Sequence, residues 1–302
     1  LLSLTGTPYD TLCTVIGASA PSPGCLTEYG IRYRETPFEQ KKQPETFREI
    51  LKPETRLVLI QRSCVYSLCQ SFPVARIGEI CAALKAAKPD VVVMVDNCYG
   101  EFTETCEPTA VGADLIAGSL IKNPGGGIAP TGGYIAGRSD LVERAAARLT
   151  APGIGAEVGS FVEGYRLFYQ GLFLAPHTTA QAMKSALFAA AFFAAKGYSV
   201  QPSWDQVRQD IIQAIELRSP EKLTAFCRGL QKYSPVDSHL KPEPAPMPGY
   251  ADPVVMAGGT FIQGSSIELS ADAPLREPYA VYLQGGLTFE HPLLAPLGAT
   301  AT

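Results

Sequence analysis

Short apolar runs alternate with longer segments of helical periodicity along the first two thirds of the chain. Four runs have the length of a strand: residues 57–60, 91–95, 114–118 and 133–136. Two segments repeat apolar positions at helical spacing: residues 74–88, and residues 139–149 with Ser139 as the predicted N-cap. This alternation predicts an α/β fold with a mostly parallel central sheet.

The rest of the chain predicts a smaller α+β domain. An apolar helix at residues 180–196 ends at Gly197, so we divide the chain into a large domain (1–197) and a smaller one (198–302). Val207, Ile211, Ile212 and Ile215 have the spacing of an amphipathic helix. Three strands are predicted after a proline-rich connector: residues 254–257, 266–269 and 280–283.

Composition narrows the class of protein. The net charge of −4 gives no basic surface for nucleic acid, and the longest apolar run, residues 186–195, is too short to span a membrane. The eight cysteines include no Cys-x2-Cys pair, so we predict no metal site and interpret them as buried free thiols in a reducing compartment. This favours the cytoplasm, although a targeting peptide ahead of the first residue stays open.

An acid and a lysine follow two of the predicted strands. Asp96 comes directly after the strand at 91–95, and Lys122 comes four residues after the strand at 114–118. Ligand sites of open α/β sheets lie at the carboxyl ends of strands, so both side chains are expected to face one ligand. Pyridoxal phosphate (PLP) chemistry needs this pair: an amine for the cofactor aldehyde and a carboxylate for its pyridine nitrogen.

Neighbouring residues add to this interpretation without deciding it. Ser119 has a hydroxyl that can reach a cofactor phosphate, and the glycines at 125–127 allow a tight turn after the lysine. Taken singly, a lysine is usually a solvated surface charge and an aspartate after a strand is usually a cap. The glycine-rich stretch matches neither a P-loop nor a dinucleotide-binding motif.

Longer motifs resemble the methionine gamma-lyase family, whose members are also described as aluminium resistance proteins. The two most distinctive are Val-Asp-Asn-Cys-Tyr-Gly-Glu-Phe at residues 95–102 and Gly-Ser-Leu-Ile-Lys-Asn-Pro-Gly-Gly-Gly at residues 118–127. Further matching stretches lie at residues 8–11, 61–63, 107–109, 149–155, 170–176, 234–238, 247–250 and 282–287. The resemblance covers nearly the whole chain and implies an aspartate-aminotransferase-like, fold-type I PLP enzyme.

The resemblance also implies roles for individual residues. Lys122 is expected to form the Schiff base with PLP, Asp96 to contact the pyridine nitrogen, and Ser119 to contact the phosphate. Asn97, beside Asp96 in the same motif, is expected at the cofactor as well. Tyr9 is expected to stack on the cofactor ring, the alternative being a half-buried loop aromatic.

Other side chains have two interpretations each. Arg276 is our candidate for binding the α-carboxylate of a substrate, since a guanidinium suits a bidentate carboxylate; the alternative is a surface arginine in a turn bounded by prolines. Cys98 and Tyr99 are close enough to Asp96 to touch a cofactor, and core packing explains them equally well.

Two departures from the family pattern bear on activity. The family has a segment ahead of the first residue, including a Ser-Gly-Thr-His-like loop for the cofactor phosphate, so we expect this chain to be an N-terminally incomplete piece. Cys64, Val65 and Cys69 stand where the family has two arginines and a glycine.

The implied activity is a carbon–sulfur lyase that eliminates a thiol from a sulfur-containing amino acid and leaves a 2-oxo acid and ammonia. Another PLP reaction, such as cystathionine cleavage or transsulfuration, is one alternative. A catalytically degenerate fragment that acts as a binding or assembly subunit is the other. The resemblance further implies a homodimer or homotetramer.

Overall fold

The computed structural model describes residues 1–19, 22–36 and 46–293, and within them the chain folds around two β-sheets. The first sheet contains β1 (Leu2–Ser3), β2 (Arg34–Glu35), β3 (Leu57–Gln61), β4 (Val92–Asp96), β5 (Leu115–Ser119) and β6 (Gly133–Gly137). Their spatial order is β2-β1-β3-β4-β5-β6, and every pair is parallel except β5 with β6. The predicted α/β fold with a mostly parallel central sheet is confirmed.

The helices of this half are α1 (Asp10–Ile16), α2 (Phe47–Ile50), α3 (Val74–Ala87) and α4 (Ser139–Leu149). Ile77 and Leu84 of α3 pack without exposed surface against Val58 and Val93 of the sheet, so the apolar repeat of α3 is its core-facing side. The prediction of Ser139 as N-cap is wrong. Ser139 is the first helical residue, and Arg138 takes the cap position with no side-chain cap bond.

Helix α5 (Arg166–Ala195) is longer than the sequence predicted and begins fourteen residues earlier. Pro176 lies inside it, and several apolar residues of its first half are exposed, which hides the helical periodicity. Gly171 of α5 packs backbone to backbone against Gly125 and Gly126, and a Cβ at either Gly171 or Gly126 would collide with a carbonyl of the other segment. The start of α5 therefore fixes the loop that follows β5.

The second sheet is antiparallel and lies after α5. It contains β7 (Ser199–Gln201), β8 (Gln213–Glu216), β9 (Val254–Ala257), β10 (Ser270–Pro274) and β11 (Ala280–Gln284) in the order β7-β8-β11-β10-β9. Phe193 of α5 and Leu223 and Phe226 of α6 (Pro220–Lys232) share one core with this sheet. Because α5 packs against this sheet and against the loop after β5, the division at residue 197 stays a prediction; residues 294–302 lie outside the described part.

Two predicted elements of the smaller domain are wrong. The helix expected through Val207 and Ile215 is absent, since residues 213–216 form β8 and pair with β11. Its first three residues are all buried, so the apolar spacing mimicked a helix. The strand expected at 266–269 begins instead at Ser270, because the backbone N–H of Ile267 donates to the carbonyl of Ile121 (3.1 Å), outside the sheet.

A buried arginine connects the carboxyl ends of β3 and β4. Arg62, directly after β3, has no exposed surface. Its guanidinium donates to the side-chain oxygen of Asn97 (2.8 Å), to Glu104 (2.8 Å) and to Glu107 (3.4 Å). Asn97 follows β4, and the two glutamates belong to the loop that leads to β5. One cation thus fixes three segments at the edge of the sheet where a ligand site is expected.

We expect Arg62→Met to lower the free energy of unfolding by about 3–5 kcal/mol, because two carboxylates would lose their buried partner. Arg56→Met is the matched control: its ion pair with Asp90 is exposed and is worth about 0–1 kcal/mol. Urea denaturation of both variants measures the difference. Equal losses would show that Arg62 does not carry this part of the fold.

Candidate active site

A cavity of about 220 Å³ lies at the carboxyl ends of β3 and β4, beside the loop that follows β5. Asp96 and Lys122 both line it, as the sequence predicted. Tyr9 lines it from the start of α1, and Tyr250 and Ser265 close it from the side of the second sheet. The two residues that PLP chemistry needs most, an acid and an amine, therefore face one space.

Lys122 is held by the backbone around it. A short 3₁₀ turn, Asn123–Gly125, follows the lysine, and the buried amide of Asn123 donates to the carbonyls of Tyr99 (3.0 Å) and Glu101 (2.9 Å). The Nζ of Lys122 lies 4.7 Å from the centroid of the Tyr99 ring, over its face. These contacts tie the lysine loop to the loop after β4, so the amine is positioned relative to Asp96.

Asp96 is the last residue of β4, and its Oδ1 accepts a hydrogen bond from the backbone N–H of Cys98 (3.1 Å). Burial raises the pKa of Asp96, while that hydrogen bond and the positive charge of Lys122 oppose the rise. A carboxylate in such surroundings is stabilised by a cationic partner. Asp96 is therefore suited to bind a protonated ring nitrogen.

The structure places the other predicted residues differently. The side chain of Asn97 is fully buried and bonded to Arg62 and Glu107, away from the cavity lining. Ser119 pairs with Gly133 between β5 and β6 and does not line the cavity either. Their predicted contacts to a cofactor thus rest on the resemblance alone, and for Asn97 a structural role at the sheet edge accounts for its burial.

Arg276 lies in an adjoining cavity of about 280 Å³, which shares Tyr9, Gln61, Ser63, Val65 and Tyr66 with the first as lining residues. Its guanidinium approaches the carboxylates of Asp10 (3.3 Å) and Asp252 (3.6 Å). Arg276 is half-buried and lines this adjoining cavity, and its binding of a substrate carboxylate stays a prediction.

The loop after Ser63 forms a wall common to both cavities, and it contains a disulfide between Cys64 and Cys69. The prediction of buried free thiols is therefore wrong for this pair, and it is wrong for Cys106, which is free but exposed. Cys64 and Cys69, which the resemblance places where the family has arginines, both line the adjoining cavity.

Comparison with known proteins shows which family the chain belongs to. A family model described as methionine gamma-lyase matches residues 1–300. This chain belongs to the methionine gamma-lyase family. A Bacillus subtilis (strain 168) relative, the uncharacterised protein YnbB, is 47% identical over 294 residues, which are 96% of this chain and 70% of that protein.

Solved structures agree with the family. A carbon–sulfur lyase involved in aluminium resistance from Clostridium novyi NT is 48% identical and superposes with a TM-score of 0.92, over 99% of this chain and 71% of that one. The pyridoxal-5'-phosphate-dependent protein YhfS from Escherichia coli is 17% identical, with a TM-score of 0.59 over 99% of this chain and 74% of that one. The latter likeness is one of fold alone. Within the described residues of this chain, no helix is long and apolar enough to cross a membrane.

The donor set of this family member fits PLP. The cavity presents the amine of Lys122, the buried carboxylate of Asp96 and the aromatic ring of Tyr9. Further lining residues had no predicted role, among them Gln61, Tyr66, Tyr250 and Ser265. Gln61 and Tyr250 fall inside the motifs at 61–63 and 247–250, which was the available signal. Nothing in the spacing of Tyr66 and Ser265 indicated that they meet.

A second buried acid, Glu101, contacts the lysine loop through its backbone carbonyl, which accepts a hydrogen bond from the Asn123 amide. Glu101 is 3% exposed; its Oε1 accepts a hydrogen bond from the Tyr134 hydroxyl (2.8 Å), and its Oε2 has no hydrogen-bond partner among the described residues. Burial raises the pKa of Glu101 to about 8. The folded protein therefore keeps this carboxyl protonated at neutral pH.

Because the unfolded chain releases the Glu101 proton near pH 4.5 and the folded protein near 8, the free energy of unfolding falls as the pH rises between these values. We expect Glu101→Gln, which keeps an oxygen for Tyr134, to remove most of this fall. Denaturation across that pH range measures it. Glu79→Gln, at an exposed position, is the control, and identical slopes in the two variants would contradict the assignment.

Proposed function

We propose that this chain forms the catalytic part of a PLP-dependent carbon–sulfur lyase acting on a sulfur-containing amino acid. The reaction is elimination of a thiol, which leaves a 2-oxo acid and ammonia. The observation that carries the proposal is the meeting of Lys122 and Asp96 in one cavity of a methionine gamma-lyase family member. The carbon–sulfur lyase from Clostridium novyi NT, 48% identical, supports the reaction class.

PLP, when bound, supplies an aldehyde and an electron-withdrawing ring. In this chain the amine of Lys122 would hold the group covalently, and the buried carboxylate of Asp96 would keep a proton on the ring nitrogen. The free amine of Lys122 would also take the proton from the substrate Cα, as a general base. Tyr9 would cover the ring, and Tyr250 lines the same cavity.

Arg276 binds the α-carboxylate of the substrate in this proposal. Asp10 and Asp252 hold its guanidinium at the wall of the adjoining cavity, and their long ion-pair distances leave donors for a better-placed carboxylate. Binding there orients the Cα hydrogen for the lysine. The contacts of Ser119 and Asn97 to the cofactor remain part of the proposal on the strength of the resemblance.

Cystathionine is the second candidate substrate. The adjoining cavity of about 280 Å³ offers room beyond the lysine cavity, and Asp10 provides a carboxylate there for a second amino group. A substrate with an amino-acid group at both ends matches this arrangement. Assay of thiol and 2-oxo acid from methionine, cystathionine and cysteine separates the candidates.

We expect Lys122→Ala to abolish the covalent attachment of PLP and the release of thiol. After borohydride reduction of PLP-loaded protein, mass spectrometry should find the added mass on the peptide that contains Lys122, and on no peptide of the variant. Lys184→Ala, on an exposed face of α5, is the control and should keep both properties. Attachment that persists in Lys122→Ala would disprove the assignment.

We further propose that a second copy of the chain covers the start of α5 and the segment before it. This part exposes large apolar side chains: Leu149, Val158, Val162, Tyr169 and Phe173. Gly171, in the same segment, packs against the backbone of the loop after Lys122, so a partner there would lie close to the candidate active site. Several large apolar side chains exposed along one segment are typical of a protein interface.

We expect Phe173→Asp to shift the protein toward a monomer in sedimentation velocity, because a charge would be buried at the interface. Val207→Asp is the matched control, since Val207 is similarly exposed outside this surface. A monomeric unmodified protein, or an unchanged oligomer in Phe173→Asp, would contradict the proposal.

A further inference from the structure

The disulfide between Cys64 and Cys69 borders the space beside the lysine cavity. Both cysteines are half-buried and line the adjoining cavity of about 280 Å³, together with Arg276. Tyr66, which lies between them in sequence, lines this cavity and the lysine cavity. A small molecule that enters the adjoining cavity therefore comes close to the S–S bond, and a folded protein is too large for a space of this volume.

The two sulfur atoms of this bond have different surroundings. The hydroxyl of Ser67 lies 3.3 Å from the Sγ of Cys69, and it is the donor because a bonded cysteine carries no S–H proton. Cys64 is held through its backbone, whose N–H donates to the Oγ of Ser71 (3.2 Å) and whose carbonyl accepts from the N–H of Ser67 (3.2 Å). A hydroxyl donor stabilises negative charge on sulfur, so Cys69 is the better leaving group when the bond is broken.

The two ends of this loop are fixed independently of the disulfide. The hydroxyls of Ser63 and Ser71 both donate hydrogen bonds to the Oδ2 of Asp210, which is buried. Opening of the S–S bond therefore leaves the ends of the loop in place. Only the residues from 64 to 69 gain conformational freedom.

Tyr66 is the residue of this segment that the lysine cavity depends on. Its φ of 60° lies in the left-handed region, which costs most residues energy. Its hydroxyl donates to the Oδ2 of Asp272 (2.8 Å), and the hydroxyl of Ser265 donates to the same oxygen (2.8 Å). Asp272 is 1% exposed, so this wall of the cavity is anchored on a buried carboxylate. A closed loop favours such a strained conformation because it removes alternatives that the open chain has.

We propose that the Cys64–Cys69 disulfide is a site of thiol–disulfide exchange with small thiols, and that its opening releases Tyr66 from the wall of the lysine cavity. The thiolate of the small thiol attacks the Sγ of Cys64, the S–S bond breaks, and its electron pair goes to the Sγ of Cys69. The new thiolate takes a proton from water, in place of the one that the small thiol gave up. A second small thiol then displaces Cys64 from the mixed disulfide. Two small thiols are thereby oxidised to a disulfide, and the protein disulfide is reduced to two thiols.

The small thiol has two sources with the same chemistry. One is thiol from solution, which needs no lyase activity. The other is thiol released in the neighbouring lysine cavity, and this source alone rests on the proposed function. Because the resemblance places arginines in the family at the positions of Cys64 and Cys69, the exchange site is a property of this chain's own sequence.

The first test maps the cysteines of the full chain without PLP. After incubation with oxidised glutathione and its removal, non-reducing peptide mapping should find Cys64 linked to Cys69. Ethanethiol is then added, and free thiols are trapped with iodoacetamide. In the tryptic peptide of residues 63–76, mass spectrometry should find ethanethiol on Cys64 and alkylation of Cys69. An unlinked pair, or a link that survives ethanethiol under conditions that cleave oxidised glutathione, would overturn the inference.

A serine variant tests the direction of attack. Ser67→Ala removes the hydroxyl that stabilises charge on Cys69, so ethanethiol should shift from Cys64 alone to both cysteines. Ser238→Ala, at an exposed serine elsewhere on the surface, is the matched control and should keep ethanethiol on Cys64. The same labelling in both variants would contradict the assigned leaving group.

Amide hydrogen exchange tests the release of Tyr66. Reduction should speed exchange in the peptide of residues 63–76 and leave that of β4 unchanged. The double variant Cys64→Ser with Cys69→Ser should match the reduced protein without any thiol present, and Cys106→Ser, at a free exposed cysteine, should match the oxidised protein. Equal exchange in the oxidised and reduced proteins would show that the disulfide does not hold this wall.

PLP-loaded protein separates the two sources and distinguishes this inference from the proposed function. With S-ethylcysteine or ethionine as the only source of thiol, ethanethiol on Cys64 would identify the lysine cavity as its origin, and Lys122→Ala should show none. If these amino acids release no thiol while added ethanethiol still reacts, the proposed function fails and the exchange site stands. Release of ethanethiol with no labelling of either cysteine, by released or by added thiol, would reject the exchange site and leave the proposed function intact.

Discussion

The buried guanidinium of Arg62 is the interaction on which the rest of the site depends. A charge without solvent is costly unless it is paired, and Arg62 is paired with two glutamates and bonded to the side chain of Asn97. These partners lie on the segments that follow β4, so one planar cation fixes the loop after Asp96 against the end of β3. The second cavity-forming segment, the loop at residues 63–71, starts at the same arginine, whose carbonyl accepts a hydrogen bond from the N–H of Phe72 (2.9 Å). The geometry of the candidate site therefore depends on the buried hydrogen-bond network of Arg62 at the ends of β3 and β4.

The active site joins two unlike sheets. The parallel sheet contributes Asp96 and, through the loop after β5, Lys122, while the antiparallel sheet contributes Asp272 from β10. The carboxyl ends of parallel strands lie at one edge of the sheet, so the polar side chains that follow them come together there. The antiparallel sheet instead presents a fully buried carboxylate through hydroxyl groups. The positive charge of Lys122 opposes the rise that burial causes in the pKa of both acids.

The positions of four strands of the first sheet and the acid–lysine pair could be predicted from sequence, because buried strands are short apolar runs that end at polar residues. The same reasoning failed at residues 213–216, where a strand buried along its length produced helical spacing by chance. It also failed for Asn97, which we expected to contact the cofactor because it follows Asp96 in the motif. Consecutive side chains point to opposite sides, and that of Asn97 points toward Arg62. Tyr66 and Asp272 are 206 residues apart, and only tertiary folding reveals such a pair.

The hydrogen bond from Ile267 to the carbonyl of Ile121 has a thermodynamic consequence. It joins the residue just before Lys122 to the segment that enters β10, so local opening of either segment at this point breaks a contact with the other. A ligand bound beside Lys122 then shifts the unfolding equilibrium of both sheets, and its binding free energy is added to the stability of the whole molecule. Occupancy of the site and cooperativity of unfolding are in this way coupled through contacts that include this hydrogen bond.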